Sequence, residues 1–597
     1  MNPQLSHCTL AFTLCSLGLA QAPHVVRPTT DDVLPSSTYA SMQFGGLSAC
    51  RHSATALPLA SVVEAFLQRI PAESRAQHVD HAFEHGARHI QQVLQHTGLS
   101  AADVRAVLAQ PMTFACGRLT IEGMGPSVAL IIEEGDHAAA IGRCIAGLES
   151  LARQAGIVVE EAKVGDLAVR HARMPKSPPV FAASVGGYLV LTNSRGQLGE
   201  IADVVRGGQP GLARSSRLAD LRRRLPEPAL ASVFVNTASL AAMLDPHLPY
   251  ETAEFAAALG IGRVDAFYAG TTASARGGCD VVHFGLGGSE HGLVKALFAQ
   301  PADLGFASIC SQNTVVFAAG CFDATAAADA YARCVEMLPI SGREQADNLR
   351  KGLDRRLRKL GMTAASANAL VRGFGNQVGF ALSLEKGPTP KPELLVRVGV
   401  RDASVVAPFV KQLESMSAEH GPLEWKTRKV GDHEVRFCNV TLNEVQFPLS
   451  PCYVITDHAL LVGSDVAVLV RALRQDAQPE ESLAAQPDFK ELQATVAGGS
   501  GFVHMRLFRA VEIGWRTVET LAYPMLDAKK EKVGFSSEAL PDTETMAKAL
   551  GTSTFVYDVD DHGITWRSHG TMAFGTMFAS FGAVLDELLS RAGGKIY

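Results

Sequence analysis

Most of the features that announce a function are missing from this sequence. Its 11 cysteines include no C-x-x-C pair, which excludes a zinc ribbon and a thioredoxin-type redox motif. A net charge of -6 over 597 residues is too mild for a general nucleic-acid binder, which needs a strongly basic surface to neutralise phosphates. Long apolar runs are absent too. The best candidates, 8–20 and 572–585 (MAFGTMFASFGAVL), fall short of the ~20 residues that cross a bilayer, so no integral membrane segment is expected in the mature chain. The glycine-rich FGNQVGF (374–380) has no P-loop lysine, and GLGGSEHG (285–292) does not satisfy G-x-S-x-G. No haem motif, paired-carboxylate signature or ordered Ser, His and Asp set offers a catalytic assignment.

What is present is an ordinary folded composition, 47% hydrophobic and 19% charged with three Trp, in a chain several times the usual domain length. It opens MNPQLSHCTLAFTLCSLGLAQA. The apolar stretch closed by Ala20-Gln21-Ala22 has the form of a secretory signal with an A-x-A cleavage site, although no Lys or Arg precedes it. The expectation is a signal peptide over 1–22 and an exported protein, periplasmic or extracellular. Cleavage removes Cys8 and Cys15, and the nine cysteines left are odd in number and scattered. Most are expected to be small buried core residues, with one or two bridges at most.

The chain is written twice. PSVALIIEEGD (126–136) answers PELLVRVGVRD (392–402), 266 residues on, and Val164-Gly165-Asp166 answers Val430-Gly431-Asp432 at the same offset. GGYLVLTNSRGQLGEIADVVRG (186–207) pairs with DHALLVGSDVAVLVRALRQ (457–475). Ser232-Val233-Phe234-Val235 matches Ser500-Gly501-Phe502-Val503, and the closing run Asp280–Phe284 matches Gly563–Arg567. The spacing predicts two copies, about 33–300 and 302–590. Short, closely spaced strands with turn signals predict an α+β class, with mainly antiparallel sheets and helices packed on one face. A groove between the copies would be a favoured binding place.

Asp32-Val33-Leu34-Pro35-Ser36-Ser37-Thr38-Tyr39-Ala40 resembles the opening of a family of large exported bacterial proteins that carry a domain of unknown function. Leu34-Pro35 and Thr38-Tyr39 match, while Ser36 and Ser37 stand where the family has Ala-Asp. The resemblance covers only this opening and the layout, and it implies export without implying an activity.

HVDHAFEHGARHIQQVLQH (78–96) holds five histidines. At 100° per residue His78, His81, His85, His89 and His96 share one stripe of a helix, beside a core-facing side made by Val79, Phe83, Ile90, Val93 and Leu94. Pairs at i,i+4 such as His81/His85 and His85/His89 place two imidazoles where one Zn²⁺ or Cu²⁺ reaches both. His81, Glu84 and His85 resemble the H-x-x-E-H of inverted zinc peptidases. That resemblance implies zinc on the histidines, Glu84 activating water, and a third ligand near Glu160 or Glu161. Those two glutamates fall in an apparent strand, VVEEAKV, where that family has a helix. The second copy has no histidine in this slot and carries instead the basic run SGREQADNLRKGLDRRLRKLG (341–361). With Arg214, Arg217, Arg222, Arg223 and Arg224, that run offers an anionic envelope polymer or an acidic protein partner a surface.

Taken together, these features favour an exported non-catalytic binding or scaffold protein of two similar units. The alternative is a zinc-dependent hydrolase using His81, Glu84, His85 and His89.

Overall fold

Runs such as VVHFGL and FVYDVD alternate side chains across a pleated backbone and are closed by glycine turns, which favours antiparallel strands. The computed structural model describes residues 30–120, 125–173, 178–214, 216–225, 229–239, 264–286, 300–337, 361–385, 390–419, 424–440, 450–474, 479–496, 498–560 and 562–593, with scattered positions between 343 and 358. Residues 1–22, the expected signal, lie outside the described residues, as does most of GLGGSEHG.

Twenty strands occur among the described residues. The first ten are β1 (Ala40–Phe44), β2 (Met112–Thr120), β3 (Gly125–Glu133), β4 (Val158–Val164), β5 (Leu167–Arg173), β6 (Val180–Val185), β7 (Tyr188–Thr192), β8 (Ala231–Val235), β9 (Val264–Ser274) and β10 (Gly277–Leu286). The second ten are β11 (Thr314–Cys321), β12 (Phe374–Glu385), β13 (Lys391–Val400), β14 (Trp425–Val430), β15 (His433–Cys438), β16 (Cys452–Ile455), β17 (Ala459–Gly463), β18 (Gly501–Met505), β19 (Ser553–Asp560) and β20 (Gly563–Gly570).

All of their pairings are antiparallel, and they join into one sheet. The first half runs β4-β5-β6-β7-β3-β2-β1-β8-β9-β10. The second half continues β20-β19-β18-β11-β12-β13-β17-β16-β15-β14. The join is the β10–β20 pair, in register from Gly278↔Gly570 to Gly285↔Gly563. The backbones meet closely there. A Cβ on Gly563, whose φ is +138°, would lie 2.0 Å from the Phe284 carbonyl oxygen, so only glycine fits. FGNQVGF (374–380) lies in β12 and is no loop.

The helices used below are α1 (Leu47–Ala56), α2 (Pro58–Arg69), α3 (His81–Thr97), α4 (Ala101–Leu108), α5 (Ala138–Gln154), α6 (Arg195–Val205), α7 (Ala403–Glu419), α8 (Val466–Arg474), α9 (Pro487–Val496) and α10 (Phe574–Gly593). The fold is α+β as expected, but helices pack on both faces of the sheet, not one. Ile131 and Ile132, neighbours on β3, show why. Ile131 is buried with Leu198 and Ile201 of α6, whereas Ile132 packs with Ile141 of α5, because successive side chains leave a strand on opposite sides. On the α6 face, the second half buries Phe317, Leu395, Phe502 and Val556 against Leu469 of α8 and Phe489 of α9.

The last helix crosses to the first half of the chain. Ala579 and Ala583 of α10 pack with Ala54 of α1 and Ala273 of β9, and Val584 packs with Val63 of α2 and Phe83 of α3. Gly582 allows this approach, since a Cβ there would lie 2.4 Å from Cys50 Cβ. Among the described residues, no helix is long and apolar enough to cross a membrane.

Candidate functional site

The face opposite α6 and α8 is apolar well beyond what its helices cover. Cross-strand neighbours form an apolar row from Phe114 through Met42, Val233, Ala269 and Val282 to Trp566. One step along the strands, a second row runs from Phe555 through Val503, Ala318, Phe380 and Val396 to Val462. Alternation places the members of both rows on the same side of the sheet. Trp566 remains 43% exposed and Phe284 36%. Their rings meet edge to face at 5.5 Å across the β10–β20 join, and Phe267 adds a third ring 4.9 Å from Phe284.

A cavity of about 660 Å³ opens over this floor, lined chiefly by Val282, Phe380, Val396, Val503, Phe555 and Trp566. That volume lies within the range of small-molecule sites. Most polar groups at its rim are engaged, the Arg567 Nε excepted. The Asp280 carboxylate accepts from the Thr271 hydroxyl at 2.6 Å, from Ser568, and from the backbone N–H groups of Phe574 at 2.7 Å and Gly575 at 2.9 Å. Those amides open α10, so Asp280 satisfies a helix N-terminus. Arg567 is paired with Asp558. Burial, with a smaller push from Cys321, raises the Tyr557 phenol, which keeps it a neutral hydroxyl beside the apolar floor. The arrangement suits holding an apolar body.

The histidine helix is arranged differently from its 100° projection. Ala76–Asp80 form a π-helical turn, so His78 does not share the phase of α3, which begins at His81. Phe83 and Ala87 are buried and Ile90 and Leu94 half-buried, whereas Val93 is exposed. Val93 was expected in the core. At 100° per residue it falls about 90° from the centre of the stripe through Phe83, Ala87, Ile90 and Leu94. His81, Glu84, His85, His89 and His96 are all exposed, and His96 Nδ1 lies 2.6 Å from the Gln92 carbonyl of its own helix.

Glu160 and Glu161 sit in β4, opposite His171 and Arg170 of β5, in a strand at one end of the sheet. Among the described residues, no group of three His, Cys, Asp or Glu side chains is placed to hold a metal ion. The basic residues also disperse. Arg224 donates to Thr565 at 2.8 Å and Arg223 pairs with Asp220, while Arg343, Lys351, Arg355 and Arg358 are exposed.

The side chains of eight cysteines are described, and seven of them are buried. Burial pushes Cys50 and Cys452 up to about 12, as expected of thiols in apolar surroundings.

The sequence did carry a trace of the apolar floor. In DVVHF (280–284) and GFALS (379–383), apolar residues stand on both sides of the strand, the pattern of a sheet covered on both faces. Comparison with known protein families, with curated proteins and with solved structures finds no match to this chain.

Proposed function

We propose that this is an exported, non-catalytic binding protein, built by tandem duplication, that holds an apolar ligand of acyl-chain or similar hydrocarbon character on the open face of its sheet. The observation that carries the reading is the apolar floor around Trp566, whose cavity of about 660 Å³ meets few unengaged polar groups. Apolar surface left open to water on this scale costs roughly 25 cal/mol per Å², and its persistence in a folded chain is typical of binding surfaces. Export is supported by the apolar stretch and Ala20-Gln21-Ala22 at the N-terminus.

Duplication is supported by contacts that recur in the two halves. Leu212 N–H donates to the Leu34 carbonyl at 2.6 Å, and Leu483 N–H to that of Cys310 at 2.9 Å. Val128 N–H donates to Asn193 Oδ1 at 2.8 Å, and Leu394 N–H to Ser464 Oγ at 3.0 Å. Asn236 N–H reaches the Tyr39 carbonyl at 2.7 Å, and Arg506 N–H that of Val315 at 2.8 Å. In spatial order each strand of the first half also has its counterpart ten strands later. Two of the sequence matches shift in this alignment. Gly45 and Cys321 donate to Leu230 and Ser500 respectively, which makes Leu230, not Ser232, the counterpart of Ser500. The β9–β10 and β19–β20 turns align Gly277 with Gly563, three residues from the match read off the closing strands.

The test is a fluorescent fatty acid titrated against the purified protein, read by energy transfer from Trp566 and compared with Val503→Asp. A charge beside Phe555 and Phe380 would be desolvated by an apolar ligand, so affinity should fall roughly tenfold or more, while the exposed position spares the fold. Equal affinity in the variant, or no binding to the wild type, would reject the reading.

A further inference from the structure

A second cavity, of about 800 Å³, lies in the first half, between α5 and the outer strands β4, β5 and β6. Its origin is visible by comparison with the same place in the second half. In both halves an arginine of the inner outer-strand hairpin reaches a glutamate on the covering helix: Arg170 to Glu149 at 2.7 Å, and Arg436 to Glu414 at 2.7 Å. Opposite the arginine on the next strand stands Ala182 in the first half and Tyr453 in the second. The Tyr453 hydroxyl donates to Glu414, and its ring meets Trp425 at 5.7 Å.

Around Tyr453 the space under α7 is filled by Val400, Val406, Val410, Trp425, Ile455 and Leu460. Four of the matching positions in the first half hold smaller or more polar groups. Val159 stands for Trp425, Ala182 for Tyr453, Ser184 for Ile455 and Glu134 for Val400, judged by their places in β4, β6 and at the end of β3. An internal layer that is packed shut in one half is therefore opened and made polar in the other. The comparison of halves rests on the duplication proposed above, whereas the cavity does not.

The charges on the lining narrow what fits. Arg170 is neutralised by Glu149. Glu161 and Lys163, two apart on β4, point to the same side and offset each other. Glu134 is left over, and among the described residues its side-chain partner is the Ser184 hydroxyl, which donates to it at 2.5 Å. The floor beneath, Ile141, Ile145 and Leu189, is apolar. We propose that this cavity binds a small organic cation, an amine on an apolar body, with the ammonium at Glu134 and Ser184 and the body over Ile141 and Ile145.

The experiment is a titration of the whole protein with phenethylamine and with the uncharged 2-phenylethanol, followed by calorimetry and thermal unfolding. The amine should bind and raise the melting temperature, and the alcohol should bind at least roughly tenfold more weakly. Ala182→Tyr, which installs the side chain of the other half, should abolish amine binding while leaving fatty-acid binding near Trp566 unchanged. Glu134→Gln keeps the shape should the tyrosine not be accommodated, and it should erase the preference for the amine over the alcohol. No amine binding to the wild type, or an undiminished amine preference in Glu134→Gln, overturns the proposal. The fatty-acid titration reads the other site independently.

Discussion

Arg105 forms a two-pronged ion pair with Asp586, Nε to Oδ1 at 2.7 Å and Nη2 to Oδ2 at 3.0 Å, and Arg51 adds a third contact at 2.9 Å. The carboxylate belongs to α10, the last helix, and the arginines to α4 and α1 near the start of the chain. The Asp586 side chain is nearly buried, while the arginines stay partly in contact with water. Asp586→Asn should therefore cost about 2 kcal/mol, below the 3–5 kcal/mol of a fully buried pair, as measured by urea unfolding. Amide exchange along 574–593 should quicken together with that along α1, and an effect confined to α10 would contradict the tie.

A second prediction concerns acid. Asp488 accepts from Arg506 at 2.6 Å and 3.0 Å and lies 3.8 Å from His504 Nε2. Burial pushes its carboxyl up, but His504 and Arg506 outweigh burial and bring it down to about 2. A folded-state value below the ordinary 3.8 means that stability from this group is present above about pH 4 and drains away as the pH falls toward 2. Asp488→Asn should flatten the stability profile over that window and lower stability at neutral pH. An unchanged acid limb in urea melts taken from pH 5 to 2 would refute it.

Exposed histidines on α3 should matter little to folding. The double substitution His81→Ala, His85→Ala is expected to shift stability by less than about 0.5 kcal/mol, whereas Phe83→Ala, which empties a buried position beneath Arg591, should cost about 3 kcal/mol. Thermal melts of the two variants side by side decide this.

The thiols give a fourth test. With Cys50 and Cys452 pushed up to about 12 by burial, Ellman's reagent at pH 8 should leave both unmodified in the native protein and titrate them in urea. Rapid native reaction at either, located by peptide mapping, would contradict their burial.

The strands and their alternation were legible because each rests on local pattern: PSVALIIEEGD and VVEEAKV read as strands and fold as strands. The coverage of the sheet was not legible. Ile131 and Ile132 look alike in sequence and face different helices, and a strand that is apolar on both sides reads the same whether helices or an open cavity lie over it. The histidine stripe misled for a related reason. A regular projection cannot foresee the π-turn at Ala76–Asp80, nor that, among the described residues, no metal-holding group forms at His81, His85 and His89. The cavity beside Ala182 depends on how α5 lies over β4, β5 and β6, which no local pattern in the sequence gives.

One consequence of a sheet that, among the described residues, does not close is that it ends in two strands, β4 and β14, each paired on one side, and an unpaired edge can recruit a stranger's strand. Both are written as deterrents. β4 carries Glu160, Glu161 and Lys163, and β14 carries Lys426, Arg428 and Lys429, and charges spaced along a terminal strand make stacking against another copy expensive. Glu160 and Glu161, which in sequence invite reading as metal ligands, thus stand on a terminal strand, where charge discourages pairing with another chain.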